Sequence, residues 1–274
     1  MRNEKRENKN DTLFSDREFL KFLPKVLRAR DFRLYLEGGK RLVDLWLIGG
    51  RAVLGHKPPL VLRELKNAAE RGLYSPLPHP AEERFLKALG EIFPGRTFRL
   101  YLDSGSLDKA LAASGFTGTI PLWRPFLKAD ETQGPGTQGP DTPILRPVLP
   151  WSLGPEILVL DKSIDGSFPA GELIPPVLLA PATRALYNII ATMKAKGSGQ
   201  RKYKKIEKVL TDSLWRRQGI YLWLKNDMDR EKYKALFLHF LEGGFLIPPD
   251  AREPLILPIS MSDGEVSKLA GLLR

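Results

Sequence analysis

The sequence predicts a mixed α/β protein, and three observations carry that reading. Segments with apolar residues three and four apart alternate along the chain with short apolar runs of strand length. The 274 residues are 42% hydrophobic and 27% charged, which supports a real core and excludes a chain disordered throughout. The one internal repeat, Thr132-Gln133-Gly134-Pro135 recurring as Thr137-Gln138-Gly139-Pro140, is too short to build a repeat architecture.

The first dozen residues mix charges of both signs and read as a disordered, soluble tail. Asp16 then precedes a stripe of Phe19, Phe22, Leu23, Val26 and Leu27, which predicts a helix. Strands are expected over 32–36 and 41–47, with Glu37-Gly38-Gly39-Lys40 as the hairpin turn between them. Gly49-Gly50 and Gly55-His56-Lys57-Pro58-Pro59 break the chain before a helix over 60–71. After Pro76, Pro78 and Pro80 another helix is expected over 81–92. A strand over 97–102 leads through Ser104-Gly105-Ser106 into a helix starting near Asp108. Residues 128–150 are rich in Pro and Gly and read as a low-complexity connector. Ile157-Leu158-Val159-Leu160 forms a buried strand ending at Asp161-Lys162, and a long apolar helix follows over 177–193. The rest reads as a helix within 194–217, a strand over 220–224 and a helix over 231–241. Strands over 245–247 and 255–259 and a helix over 265–272 complete the chain.

Several function classes are excluded. There is no cysteine, so disulfides and thiolate chemistry are absent and a reducing, cytoplasmic setting is expected. With only His56, His79 and His239 available, no metal site is expected. His56 reads as a structural residue of its turn, and the other two show no partner in the sequence. No run approaches the roughly 18 apolar residues of a membrane span, and the charged start is not read as a secretory signal. The net charge is +11, but residues 194–217 hold nine basic against two acidic residues and so carry +7 of it. Tyr203, Ile206, Leu210 and Leu214 at helical spacing make this an amphipathic helix with a solvated cationic face, which removes most of the argument for nucleic acid.

Two segments have the composition of a chemical site. In Asp103-Ser104-Gly105-Ser106 a small-residue turn feeds a helix, where free amides and the helix dipole favour an anion; a plain serine cap explains it equally. Lys162 ends a buried strand, where a desolvated amine can form a Schiff base; a lysine reaching into water is the simpler alternative.

Taken in order, these segments resemble class III aminotransferases, the fold-type I pyridoxal-phosphate enzymes, and glutamate-1-semialdehyde aminomutases in particular. Asp44-Leu45-Trp46 through Gly55-His56-Lys57-Pro58-Pro59-Leu60-Val61 resembles the family's opening "LGHxxPxV" region. Leu102-Asp103-Ser104-Gly105-Ser106 with Thr117-Gly118 resembles its "NSGSEA…TG" phosphate segment. The stretch from Leu160-Asp161-Lys162 to Pro169-Ala170-Gly171 resembles the "KxxGGGxPxG" frame of the cofactor lysine, and Pro176-Val177-Leu178-Leu179-Ala180 resembles the "NPLA" helix. Gly219-Ile220-Tyr221-Leu222 and Leu241-Glu242-Gly243-Gly244-Phe245-Leu246-Ile247-Pro248-Pro249 resemble its closing motifs, with Ser262-Asp263-Gly264-Glu265 where the last helix begins.

The resemblance implies a truncated fold-type I architecture. Residues 13–54 would pack with an α+β small domain at 200–274, and 55–193 would form a reduced large domain carrying the connector. It implies Lys162 as the candidate Schiff-base lysine and Ser104, Gly105 and Ser106 as the candidate phosphate turn of pyridoxal phosphate. It also implies amino-group transfer on an amino acid or amino aldehyde as the ancestral activity, and a homodimer or pairing with a full-length relative. Departures are equally plain. Leu107 replaces the glutamate after "SGS", Asp165 replaces a glycine, and no Thr precedes the proline pair at Leu173-Ile174-Pro175. Only 55 residues separate Ser106 from Lys162, which leaves room for at most one βαβ unit of about 30 residues. The family's ring-stacking aromatic and "DEV" aspartate have no counterpart there, so impaired catalysis is expected. A non-catalytic interaction protein and a polyanion-binding module remain as alternatives.

Overall fold

The computed structural model describes residues 18–127, 142–195 and 203–274. In chain order the first elements are β1 (Val26–Arg30), β2 (Arg33–Leu36), β3 (Arg41–Asp44), α1 (Val61–Glu70), α2 (Ala81–Ile92), β4 (Thr97–Tyr101) and α3 (Ser104–Ala113). Then come β5 (Leu122–Trp123), β6 (Ile144–Pro147), β7 (Glu156–Leu160), α4 (Pro176–Lys194) and α5 (Lys204–Leu210). The chain closes with β8 (Trp215–Gln218), β9 (Tyr221–Leu224), α6 (Arg230–Glu242), β10 (Phe245–Leu246), β11 (Leu255–Ile256) and α7 (Asp263–Leu272). They form two compact units, Met1–Gly49 with Gly199–Arg274, and Gly50–Ser198.

The first unit joins both ends of the sequence. Its larger sheet runs β1-β2-β3-β10, with the first three strands antiparallel and β10 parallel to β3. A second sheet runs β11-β9-β8. The core lies among Phe19, Leu34, Val43, Tyr233, Phe237, Phe240, Leu255 and Leu269. The Phe19 ring meets Tyr233 and Phe237 at centroid distances of 5.8 and 5.3 Å. The helix expected through Leu27 is overturned: Pro24 has no amide hydrogen to continue it, and Val26 instead opens β1, which pairs with β2. The single helix expected within 194–217 is likewise too long. Residues 196–202 lie outside the described residues, α5 spans seven residues, and Arg216 and Arg217 sit on β8. Tyr203 and Ile206 are buried as their spacing suggests, whereas Leu214 is exposed.

Helix α7 opens with a capping box, in which Ser262 Oγ accepts from the Glu265 amide and the Glu265 carboxylate accepts from the Ser262 amide. Glu265 also receives the Arg33 guanidinium in two hydrogen bonds, at 2.9 and 2.6 Å, tying the helix to β2. Burial alone would raise the Glu265 pKa, but these bonds outweigh it and hold the carboxyl below its usual range. A depressed folded-state pKa means that the stabilisation is complete above the unfolded value, about 4.5, and is lost as pH falls through the folded value. Acid titration by circular dichroism is therefore expected to unfold Glu265→Gln with a flatter pH dependence below pH about 4.5 than the parent. An unchanged acid limb would remove Glu265 from the account.

In the second unit the sheet order is β4-β7-β6-β5. β7 lies between β4 and β6 and is antiparallel to both, in register Thr97↔Leu160 to Tyr101↔Glu156 on one side and Ile144↔Leu160 on the other. β5 runs parallel to β6. Ile157 to Leu160 are fully buried, so both faces of β7 are covered, which is what its unbroken apolar run requires. β6 corrects the connector expected over 128–150: residues 128–141 lie outside the described residues, but Ile144 and Leu145 are buried against β7. Helices α1, α2 and α4 pack together, with Phe85, Leu89, Leu179, Leu186 and Ile189 buried. Asn188 Nδ2 donates to the Pro59 carbonyl at 2.9 Å, and the Val177 amide donates to Leu73 O, which fixes the chain entering α1 and the start of α4.

Candidate functional site

The site suggested by the sequence depends on two chain reversals in the second unit. The first follows β4. Asp103, in extended conformation, caps α3, and its Oδ1 accepts from the Ser106 amide at 2.8 Å. The helix thus begins at Ser104, not near Asp108, and Ser104-Gly105-Ser106 is its first turn. The signal was present in the sequence: an Asp three residues before a free amide is a cap. A second carboxylate lies alongside. The Leu102 amide donates to Glu172 Oε2 at 2.8 Å, and the Glu172 amide donates to Leu100 O at 2.7 Å. The segment runs so close to β4 that a Cβ on Gly171 would stand 2.8 Å from Leu100 N and 2.9 Å from its carbonyl oxygen. Only glycine fits there.

The second reversal follows β7. Asp161 Oδ1 accepts from the Ser163 amide at 2.9 Å and the Ser163 hydroxyl at 2.7 Å, closing a turn with Lys162 exposed at its apex. Those Ser163 bonds, with the nearby Arg96, hold the Asp161 carboxyl below its usual range. Asp165, which departs from the family's glycine, accepts from Thr97 Oγ1 and pairs with Arg99, each at 2.8 Å, and its pKa is lowered mainly by the Thr97 bond. Lys162 is thus a lysine in water at a turn, not a desolvated amine.

Because β4 and β7 are antiparallel, these reversals lie at opposite ends of the pair. Lys162 follows Leu160, which is registered with Thr97; Ser104 follows Tyr101, which is registered with Glu156. The four residue steps from Thr97 to Tyr101 alone span about 14 Å, and each group lies beyond its own end. A lysine side chain reaches about 6 Å by bond lengths. In this structure Lys162 and the Ser104, Gly105 and Ser106 turn lie at opposite ends of the strand pair. Residues 142–160, which supply β6, β7 and the loop joining them at the Tyr101 end, contain no lysine.

What does gather at the Tyr101 end went unread in the sequence. Glu156, 8% exposed, binds Arg51 and also Arg146, whose Nε and Nη2 both lie 3.0 Å from Oε2. Arg124 is buried as well. The Tyr101 hydroxyl is buried without a hydrogen-bond partner among the described residues, and burial raises its pKa. An acidic residue starting an all-apolar strand was the available signal, since such a charge needs a partner.

The remaining candidates are structural. His79 Nδ1 accepts from the Ala81 amide at 3.1 Å and so caps α2, supplying a partner that the sequence did not suggest. Arg217 pairs with Glu207 and lies 5.1 Å over the Tyr203 ring, which withdraws it from the cationic face. Among the described residues there is no cluster of three or more metal-ligating side chains, and no helix is long and apolar enough to cross a membrane.

No protein-family model matches the chain. An uncharacterized protein of Treponema pallidum is 24% identical over 290 residues, covering 88% of this chain and 91% of its own. A glutamate-1-semialdehyde 2,1-aminomutase of Aeropyrum pernix is 37% identical over 97 residues, 34% of this chain but only 22% of the enzyme. Among solved structures, Plasmodium falciparum ornithine δ-aminotransferase aligns with a TM-score of 0.65 at 12% identity, spanning 97% of each chain. Acetylornithine aminotransferase of Elizabethkingia anophelis aligns with a TM-score of 0.61 at 12% identity, spanning 97% of this chain and 98% of that one. The chain therefore has a class III aminotransferase-like fold, in a truncated form of the fold-type I architecture. Pyridoxal phosphate, the cofactor such a fold implies, does not fit the residues expected to hold it. The first turn of α3 already carries the Asp103 carboxylate on its Ser106 amide, with Glu172 beside it, and Lys162 lies at the far end of the strands.

Proposed function

We propose that this aminotransferase-fold chain is non-catalytic and acts by binding another protein chain, either a second copy or a longer relative. The observation carrying this reading is the antiparallel pairing of β4 with β7, which sends Lys162 and the Ser104-Gly105-Ser106 turn to opposite ends. A Schiff base to Lys162 and a phosphate on that turn would require one cofactor to span both. The α3 terminus also favours a neutral or cationic neighbour over a phosphate dianion, since Asp103 and Glu172 already supply negative charge there.

Apolar surface supports the binding half of the reading. Leu102 and Leu173 are exposed on segments joined through the Glu172 carboxylate, and Tyr74 and Leu77 are exposed just beyond the Leu73 carbonyl that holds Val177. Large apolar side chains grouped in this way mark a contact surface more often than isolated ones do.

The test is a titration of the purified chain with pyridoxal phosphate, followed by borohydride reduction and peptide mass analysis. No aldimine absorbance and no reduced adduct at Lys162 are expected. A saturable absorbance band lost in Lys162→Ala, with the adduct on Lys162, would return the chain to amino-group chemistry on an amino acid or amino aldehyde. Sedimentation of the same sample tests the other half, for which a concentration-dependent dimer weakened by Leu173→Glu is expected.

A further inference from the structure

Helices α1, α2 and α4 leave between them a groove of about 170 Å³. On α4, Ala180, Arg184 and Tyr187 line it at spacings of four and three, one face of the helix. Ala81 and Arg84 do the same on α2, and Glu64 faces the groove from α1. The alanines make it deep, because a longer side chain at either position would fill it. The Nε of Arg184 is buried and has no hydrogen-bond partner among the described residues. A guanidinium cannot shed its charge, so an acceptor reaching this N–H, whether a ligand oxygen or an ordered water, would relieve the cost of leaving it unpaired. Glu64, the nearest charge of opposite sign in the lining, is instead 3.8 Å from Arg63.

We propose that this groove is a binding site for a small organic carboxylate whose other end carries a hydrogen-bond donor. The planar fork of Arg184 matches a carboxylate, Arg84 adds a second positive charge, and the Tyr187 ring with the two alanines covers the apolar body. Glu64 accepts from the donor and repels a second negative charge on the ligand. The volume, roughly that of five or six water molecules, suits a ligand body of a few carbon atoms. The site lies wholly within the Gly50–Ser198 unit and does not depend on the reading of Lys162.

Isothermal titration of the full chain with 3-hydroxybutyrate, butyrate, succinate and inorganic phosphate tests the assignment. Saturable binding of 3-hydroxybutyrate is expected, with butyrate weaker, succinate weaker again and phosphate weakest. Arg184→Gln and Arg84→Gln should each weaken 3-hydroxybutyrate about tenfold, the usual scale for one charge-assisted contact. Glu64→Gln, which keeps an acceptor but removes the charge, should lessen the preference over butyrate and admit succinate. Arg84 is exposed, so its variant keeps the test valid even if Arg184→Gln fails to fold. Absence of saturable heat from every carboxylate, phosphate binding tighter than the carboxylates, or parental affinity in both arginine variants would each overturn the proposal.

Discussion

Phe237→Ala is expected to destabilise the unit formed by the two chain ends by about 3–5 kcal/mol. The ring is 1% exposed and sits on α6 among the residues that join both sheets of that unit. Its edge-on contact with Phe19 at 5.3 Å, beside the Tyr233 contact, holds residue 19 to α6. Removing the ring leaves a cavity that neighbouring strands cannot close, as β3 and β10 are pinned by their own ladder. The measurement is urea unfolding combined with amide hydrogen exchange. Protection should fall in α6, β3 and β10 while β7 keeps its own. A loss below about 1 kcal/mol would show that the site collapses around the vacancy.

Glu156→Gln should have the next largest effect, and in the other unit. The carboxylate is shared by Arg51 and Arg146, whose side chains are about a quarter exposed. Replacing it with a neutral amide leaves two guanidiniums facing each other at the start of the central strand. Complete burial would put the cost at about 3–5 kcal/mol; the partial exposure of both arginines reduces it to about 2–3 kcal/mol. Because the residual penalty is repulsion between like charges, added salt should recover part of it, which a cavity would not. The midpoint of denaturation in low and high salt reads this out. An equal loss under both conditions would mean that shape, not charge, makes Glu156 necessary.

Legibility in the sequence followed the physics of each segment. α1, α2 and α4 carried their apolar residues at helical spacing, and β7 was a continuous apolar run, so both types announced themselves. β6 did not, since its apolar pair, Ile144 and Leu145, stands between prolines in a segment whose composition resembles a linker. β1 was hidden by a neighbouring helical stripe that Pro24 terminates. The separation of the two candidate segments was hidden for a different reason. Spacing identifies that a strand ends at Lys162 but carries no information on which way that strand runs. Direction is set by its partners, and β4 and β6 together turn β7 around, moving the lysine to the far end. Glu172 and Gly171, which close off the α3 terminus, lie nearly 70 residues from Leu102 and become neighbours only when the sheet forms.

The pairing of β10 with β3 has a consequence for how the chain is made. β3 emerges from the ribosome about 200 residues before its parallel partner Phe245–Leu246 exists. Every strand of the intervening unit, by contrast, is complete by Leu160 and its long helix by Lys194. Synthesis at about 5–20 residues per second therefore leaves residues 26–44 waiting on the order of ten seconds or more with one sheet edge open. The unit made of residues 50–198 is free to fold during that wait, and the one built from both chain ends closes last.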